Sequence, residues 1–209
     1  NDEFVLLYHS SACTPSKPNP GSRRIGMMKT ADLNGPWEDC GVVLSRPEPG
    51  DTKAWSYPLI AADRGVDNPA LLQHPNGKFY LYYRAKWPGL EGENSYAVAI
   101  ADALQGPYIH HPERIINNSR YIEDPYVYMD GDEVCMLVTD NHRNKGLLLR
   151  STDPPSFDYD QAEEGFHVME HYIDKDVVQK AANYRHPKFE RPQLLLKDGV
   201  PTHLFAPGG

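Results

Sequence analysis

The sequence predicts an all-β protein of repeated four-stranded sheets, best fitted by a β-propeller. The first observation is compositional: 19 Pro, 16 Gly and 13 Tyr in 209 residues pair many turns with many aromatic strand formers. The second is a hairpin that occurs three times, each opened by an acid two residues before a proline. The third is a Gly-Pro-aromatic turn that recurs between the hairpins. Helical periodicity is confined to "IDKDVVQKAAN", Ile173 to Asn183, where Ile173, Val177 and Ala181 share a face and predict a short surface helix.

Taken in order, "NDEFVLLYHS" reads as the second strand of such a hairpin, by comparison with the later "GKFYLYYRA" and "GDEVCMLVTD". Its first strand is expected upstream of Asn1. Residues 1–209 are therefore expected to be one propeller domain that lacks its first blade and the start of its second. Ser11 to Ser22 is rich in Pro and Ser and predicts a long loop. "RIGMMKTADLNGPW" is a strand followed by the turn Gly35-Pro36-Trp37. "VDNPALLQHPNGKFYLYYRA" is the first complete hairpin, with Asp67 two residues before Pro69 and a turn at Pro75-Asn76-Gly77. "YAVAIADALQGPY" repeats the Gly-Pro-aromatic turn at Gly106. "YIEDPYVYMDGDEVCMLVTD" is the second hairpin, with Glu123 before Pro125 and a turn at Asp130-Gly131-Asp132. "GLLLRSTDPPSFDYD", from Gly146, reads as a degenerate third copy of the strand and turn. "FERPQLLLKDGVPTHLFAP" is the third hairpin, with Glu190 before Pro192 and a turn at Lys197-Asp198-Gly199.

A repeat of roughly 55–70 residues carrying about four strands suits a propeller blade and is too long for a leucine-rich or hexapeptide solenoid. A β-sandwich would need turn signals at shorter intervals and no long repeat. In a propeller, matching positions at the head of each blade's first strand converge on the axis. Asp67, Glu123 and Glu190 are therefore expected to meet at one funnel. Clustered carboxylates repel one another, and glycoside hydrolysis is one chemistry that uses such a set: one protonated acid for the leaving oxygen and one carboxylate for water or the sugar. Tyr121, Tyr126, Trp87 and Phe189 lie near the acids and suit stacking on sugar faces. The plainer reading of any single acid is a turn device that accepts backbone N–H bonds.

The remaining composition restricts partners. The formal charge is −8 with no block of Lys or Arg, which disfavours nucleic acid and anionic membranes. No apolar run approaches a membrane span of roughly 18 residues, and no leader pattern is present in the chain. Cys13, Cys40 and Cys135 form neither a zinc pattern nor a disulfide framework, and allow at most one bridge. Among nine His, His9, His186 and His203 fall near strand ends. His110-His111 follows a Gly-Pro turn and is expected in solvent. No zinc-type His spacing occurs, so no metal ligand is assigned. A monomer is expected.

The hairpins and turns resemble the five-bladed β-propeller glycoside hydrolases of family 43 and their relatives. "VDNPALLQHPNGKFYL" is similar to the element carrying that family's Asp, "IEDPYVYMDGDEVCML" to the one carrying its Glu, and "TADLNGPW" to its Gly-Pro-Trp segment. The resemblance implies a five-bladed propeller that cleaves glycosidic bonds of a plant or algal polysaccharide or oligosaccharide, with inversion. It implies Glu123 as general acid and Asp67 as the carboxylate that tunes and orients it. The general base would be an Asp upstream of Asn1. Asn68, Asp124, Glu190, Arg191, Tyr121 and Trp87 are the expected substrate contacts. Asp124 is expected to turn away from Glu123 by strand alternation. Arg191 offers a fork for an acidic sugar, or a salt bridge to Glu190 or Glu123. No cofactor is required. A structural calcium on the axis, and an extracellular or periplasmic location, are further implications of the resemblance. Two departures stand out: Asn68 and Asp124 occupy positions where the family has the Pro itself or a Gly. Two alternatives stay open. One is a non-catalytic sugar-binding propeller. The other is a phosphorylase, which would need basic groups such as Arg191, Arg185 and Arg120 for phosphate.

Overall fold

The computed structural model describes residues 3–11, 23–46, 65–85, 95–117, 121–182 and 188–208. Trp87, Cys13, Arg120, Arg185, His186 and most of the Ser11–Ser22 segment lie outside these. The described residues are all-β apart from one short α-helix and two 3-10 turns, as the Pro, Gly and Tyr content predicts. None of the described helices is long and apolar enough to cross a membrane. The chain divides into two compact units, 1–92 with 96–114 and 93–95 with 115–209.

The first unit holds two antiparallel meanders. One is β1 (Phe4–Ser10), β2 (Arg24–Thr30) and β3 (Glu38–Leu44), in that order. The other is β4 (Asp67–Gln73), β5 (Phe79–Ala85), β6 (Ser95–Ala101) and β7 (Ile109–His110). Ile25, Leu44, Val66, Leu81, Tyr83 and Ala97 form one buried cluster drawn from both sheets. The sheets meet closely where Val66 N–H donates to the Arg23 carbonyl at 3.3 Å. A Cβ on Gly65 would lie 2.2 Å from that same carbonyl oxygen. Backbone cannot yield as a side-chain tip does, so Gly65→Ala is expected to destabilise the protein by about 1–3 kcal/mol. Thermal melting measures this, and an unchanged Tm would contradict it.

The second unit begins with β8 (Ile116–Asn117) and continues with β9 (Ile122–Asp130), β10 (Glu133–Asp140), β11 (Lys145–Ser151), β12 (Phe157–Asp158) and β13 (Glu163–Phe166). Strands β9, β10, β11 and β13 make a four-stranded antiparallel meander, and β12 pairs in parallel with β8. Helix α1 (Lys175–Ala182) follows, then the hairpin β14 (Gln193–Lys197) and β15 (Val200–Phe205). Asp174 caps α1 by accepting from Asp176 N–H at 2.8 Å. The helix falls within the predicted range, but its buried face differs: Val178 is buried and Val177 is exposed. Among the described side chains of the helix, Val178 takes the buried place expected of Val177, and Ala181 lies outside the described side chains.

All three predicted hairpin turns are present. At the first, only Gly77 takes the left-handed region (φ 85), whereas at the third both Asp198 and Gly199 do (φ 52 and 79). The Gly-Pro turns are alike: Gly35 N–H donates to Asp32 O at 2.8 Å and Gly106 N–H to Ala103 O at 2.9 Å. The degenerate copy closes the same way without glycine, Ser156 N–H donating to Asp153 O at 2.9 Å.

Two core tyrosines report on alkaline stability. Burial pushes the Tyr108 phenol up to about 12, and burial with the nearby Cys135 thiol does the same for Tyr128. The fold therefore holds the neutral phenols. Their contribution is whole below pH 10, the ordinary value, and is lost as pH rises towards about 12. Tm is expected to fall across that window, with late-ionising phenols visible in a 295-nm titration.

Candidate functional site

The three acids occupy the same local structure. In the first hairpin, Asp67 pairs with Arg84 and Ala70 with Tyr82, so Asn68 and Pro69 face one residue, Tyr83. In the second, Glu123 pairs with Thr139 and Tyr126 with Leu137, so Asp124 and Pro125 face Val138. In the third, Glu190 N–H donates to Pro207 O at 3.1 Å and Gln193 pairs with Phe205. Arg191 and Pro192 thus face Ala206. Each is a two-against-one β-bulge just after the acid. In each, the residue between acid and proline is left-handed: Asn68 at φ 47, Asp124 at φ 57 and Arg191 at φ 50. Proline explains part of this, since it bars the preceding residue from the right-handed α region. The bulge also cancels the strand alternation invoked for Asp124.

In the first unit, Asp67 is 2% exposed. Arg84 grips it with two parallel bonds, Nε to Oδ1 at 2.7 Å and Nη2 to Oδ2 at 2.7 Å. Arg23, at the head of β2, also donates to Oδ2. Asp67 is thus a fixed anion held by two guanidinium groups. Sequence reasoning missed both arginines. Counting the hairpin register outward from the turn would set Ala85 opposite Asp67, and only the bulge brings Arg84 there.

In the same unit His110 is not in solvent, which corrects that expectation. Its Nδ1 meets Tyr83 Oη at 2.8 Å and its Nε2 lies 3.0 Å from Ser45 O. The carbonyl can only accept, so Nε2 carries the proton and the tyrosine donates to Nδ1. The short strand β7 holds this ring at the sheet edge, where a loop was expected.

In the second unit, Glu123 is half-buried and Tyr121, two residues before it, is 39% exposed. Tyr121 sits edge-on to His142 with ring centroids 4.9 Å apart. Asn141 N–H donates to Tyr121 O at 3.0 Å. The Asn141 side chain in turn accepts from Lys188 Nζ, which pairs with Glu190 at 2.7 Å. Asp124 is buried, and Arg191 reaches its Oδ2 at 3.8 Å while staying 66% exposed. Tyr126 donates to Leu194 O at 3.1 Å. The segments around Glu123 and Glu190 are therefore joined through the β10–β11 turn and through Asp124–Arg191. The ion-pair pattern differs from the one expected: Arg191 pairs with Asp124, and Lys188 takes Glu190. Among the aromatics, Phe189 packs against Phe166 and Tyr172 (centroids 6.5 and 5.8 Å), which leaves Tyr121 as the accessible ring of the described set. His9 and His203 are exposed. Among the described residues no three His, Cys, Asp or Glu side chains come together as metal ligands.

Among the described residues, two four-stranded meanders and one hairpin are each headed by an acid. No family profile matches the chain, and no curated protein does. Solved structures do. The chain is similar to a family 117 glycoside hydrolase from the marine bacterium Zobellia galactanivorans, with TM-score 0.50 and 25% identity over 65% of this chain and 40% of that one. It is also similar in fold to a family 43 β-1,3-galactosidase (TM-score 0.59, 13% identity, 92% of this chain and 36% of that one). A β-xylosidase shares the fold as well (TM-score 0.57, 19% identity, 78% of this chain and 56% of that one). The chain thus spans about two fifths of the first two structures it matches. These neighbours are glycoside hydrolases, and what the chain shares with them is the fold.

Proposed function

We propose that this chain belongs to the catalytic domain of a glycoside hydrolase, with Glu123 as general acid. The observation that carries the reading is the bulge shared by Asp67, Glu123 and Glu190, on a fold whose solved neighbours cleave sugars. The residue following the acid leaves the strand alternation, so the acid's placement is a property of the backbone.

In the proposed step, Glu123 gives its proton to the glycosidic oxygen as the bond from that oxygen to the anomeric carbon breaks. Water adds to the anomeric carbon and yields its proton to a second carboxylate. The family resemblance assigns that base to a further Asp. Asp67 serves as the fixed anion, tuning and orienting the acid. Tyr121 offers a ring face to the sugar, with Arg191, Asn68, Asp124, Glu190 and Trp87 as the other contacts. Carboxylates and water suffice, so the reaction requires no cofactor, and an axial calcium would be structural. A polysaccharide or oligosaccharide is the proposed substrate class.

The full-length protein, incubated with aryl xylosides and galactosides and with the corresponding oligosaccharides, is expected to release free sugar at a rate independent of phosphate. Proton NMR of the first-formed anomer should show inversion. A phosphate requirement would replace hydrolysis by phosphorolysis, and sugar binding without turnover would leave only a binding propeller.

A further inference from the structure

From the shared bulge we infer that Thr139, paired directly across the sheet from Glu123, is the positioning residue for Glu123. The inference rests on the assignment of Glu123 as general acid. Directly paired residues of an antiparallel sheet project on the same face, with Cβ atoms about 4.5–5.5 Å apart. At that position Arg84 gives Asp67 two charged hydrogen bonds, which suits a permanent anion. The matching position opposite Glu190 is Pro207, which offers no donor from its side chain. Opposite Glu123 it is Thr139, with one neutral donor.

Thr139 is 1% exposed, and its hydroxyl has no hydrogen-bond partner among the described residues. A buried hydroxyl without a partner is costly, and such groups in native structures call for a reason. The catalytic cycle supplies one. While Glu123 carries its proton, the carboxyl needs no further donor. Once the proton has passed to the leaving oxygen, Glu123 is a carboxylate. The Thr139 hydroxyl, one strand away, then turns to donate to it. Thr139 therefore acts through Glu123 and touches no substrate atom.

The test uses Thr139→Val and Thr139→Ser in the full-length protein, beside Glu123→Gln, with a good leaving group (2,4-dinitrophenyl) and a poor one (alkyl or sugar) on the same glycon. Thr139→Val is expected to melt at or above the wild-type temperature, since it removes an unpartnered hydroxyl at constant shape. Its kcat on the poor leaving group should fall roughly 10-fold, the scale of one hydrogen bond to a charged group. KM should stay within about 2-fold, and turnover of the dinitrophenyl glycoside, which needs little protonation, should be unchanged. Thr139→Ser should restore turnover. A valine variant equal to wild type on both substrates overturns the inference while a dead Glu123→Gln upholds the general acid. A valine variant that melts several degrees lower shows a structural hydroxyl and overturns it too. Full activity in Glu123→Gln sinks the general-acid assignment itself.

Discussion

Glu123→Gln in the full-length protein is expected to lower kcat on an oligosaccharide by two to four orders of magnitude, the usual worth of a positioned general acid. The glutamine keeps the size of the side chain and its hydrogen bonding but cannot deliver a proton. Substrate affinity should change little, because Tyr121, Arg191 and the Lys188–Glu190 pair are left in place. Glu123 is half-buried, so the fold should tolerate the change within about 0.5 kcal/mol, as at other positions away from the core. Initial rates, equilibrium binding of the same oligosaccharide and a melting curve together separate the cases. A uniform loss of binding and turnover would point to a sugar contact in place of an acid. Unchanged turnover would remove Glu123 from the chemistry.

Arg84→Met is expected to cost about 3–5 kcal/mol of stability, the scale on which breaking a buried ion pair leaves a charge without its partner. Asp67 is 2% exposed and takes two of its bonds from Arg84. Arg23 remains as the other donor but is the more exposed of the two, at 27% against 13%, so it replaces the lost bonds only in part. The double variant Asp67→Asn with Arg84→Met should be less damaged than the single changes summed, since the two groups share one interaction. Denaturant midpoints for the three variants measure this. Additive losses would mean that Asp67 and Arg84 contribute independently. The same experiment bears on function: a stable double variant without activity would give Asp67 a role beyond holding two sheets of the first unit together.

Much of the local architecture was legible. The acid–x–Pro headers, the Asn-Gly and Asp-Gly turns and the alternating strands each rest on chemistry confined to a few neighbouring residues. The helix was legible in position through the spacing of Ile173, Val177 and Ala181, yet the choice between Val177 and Val178 was not, because an isolated turn of helix presents both. His110 was misread because a two-residue strand leaves no periodic trace. The bulge was also hidden. Alternation would have turned Asp124 away from Glu123, whereas the bulge breaks that alternation and Asp124 is buried and faces Arg191.

The sequence by itself determined that this protein would repeat a strand-rich unit and that each repeat would open with a carboxylate, because turn chemistry and side-chain alternation act over a few residues. Only the tertiary structure decided what each carboxylate meets: Arg84 and Arg23 for Asp67, 17 and 44 residues away, Lys188 for Glu190 and the Thr139 position for Glu123. Arg84 and Thr139 are placed by strand register and by the extra residue at each bulge. Register is a property of two strands together, and no single stretch of sequence carries it.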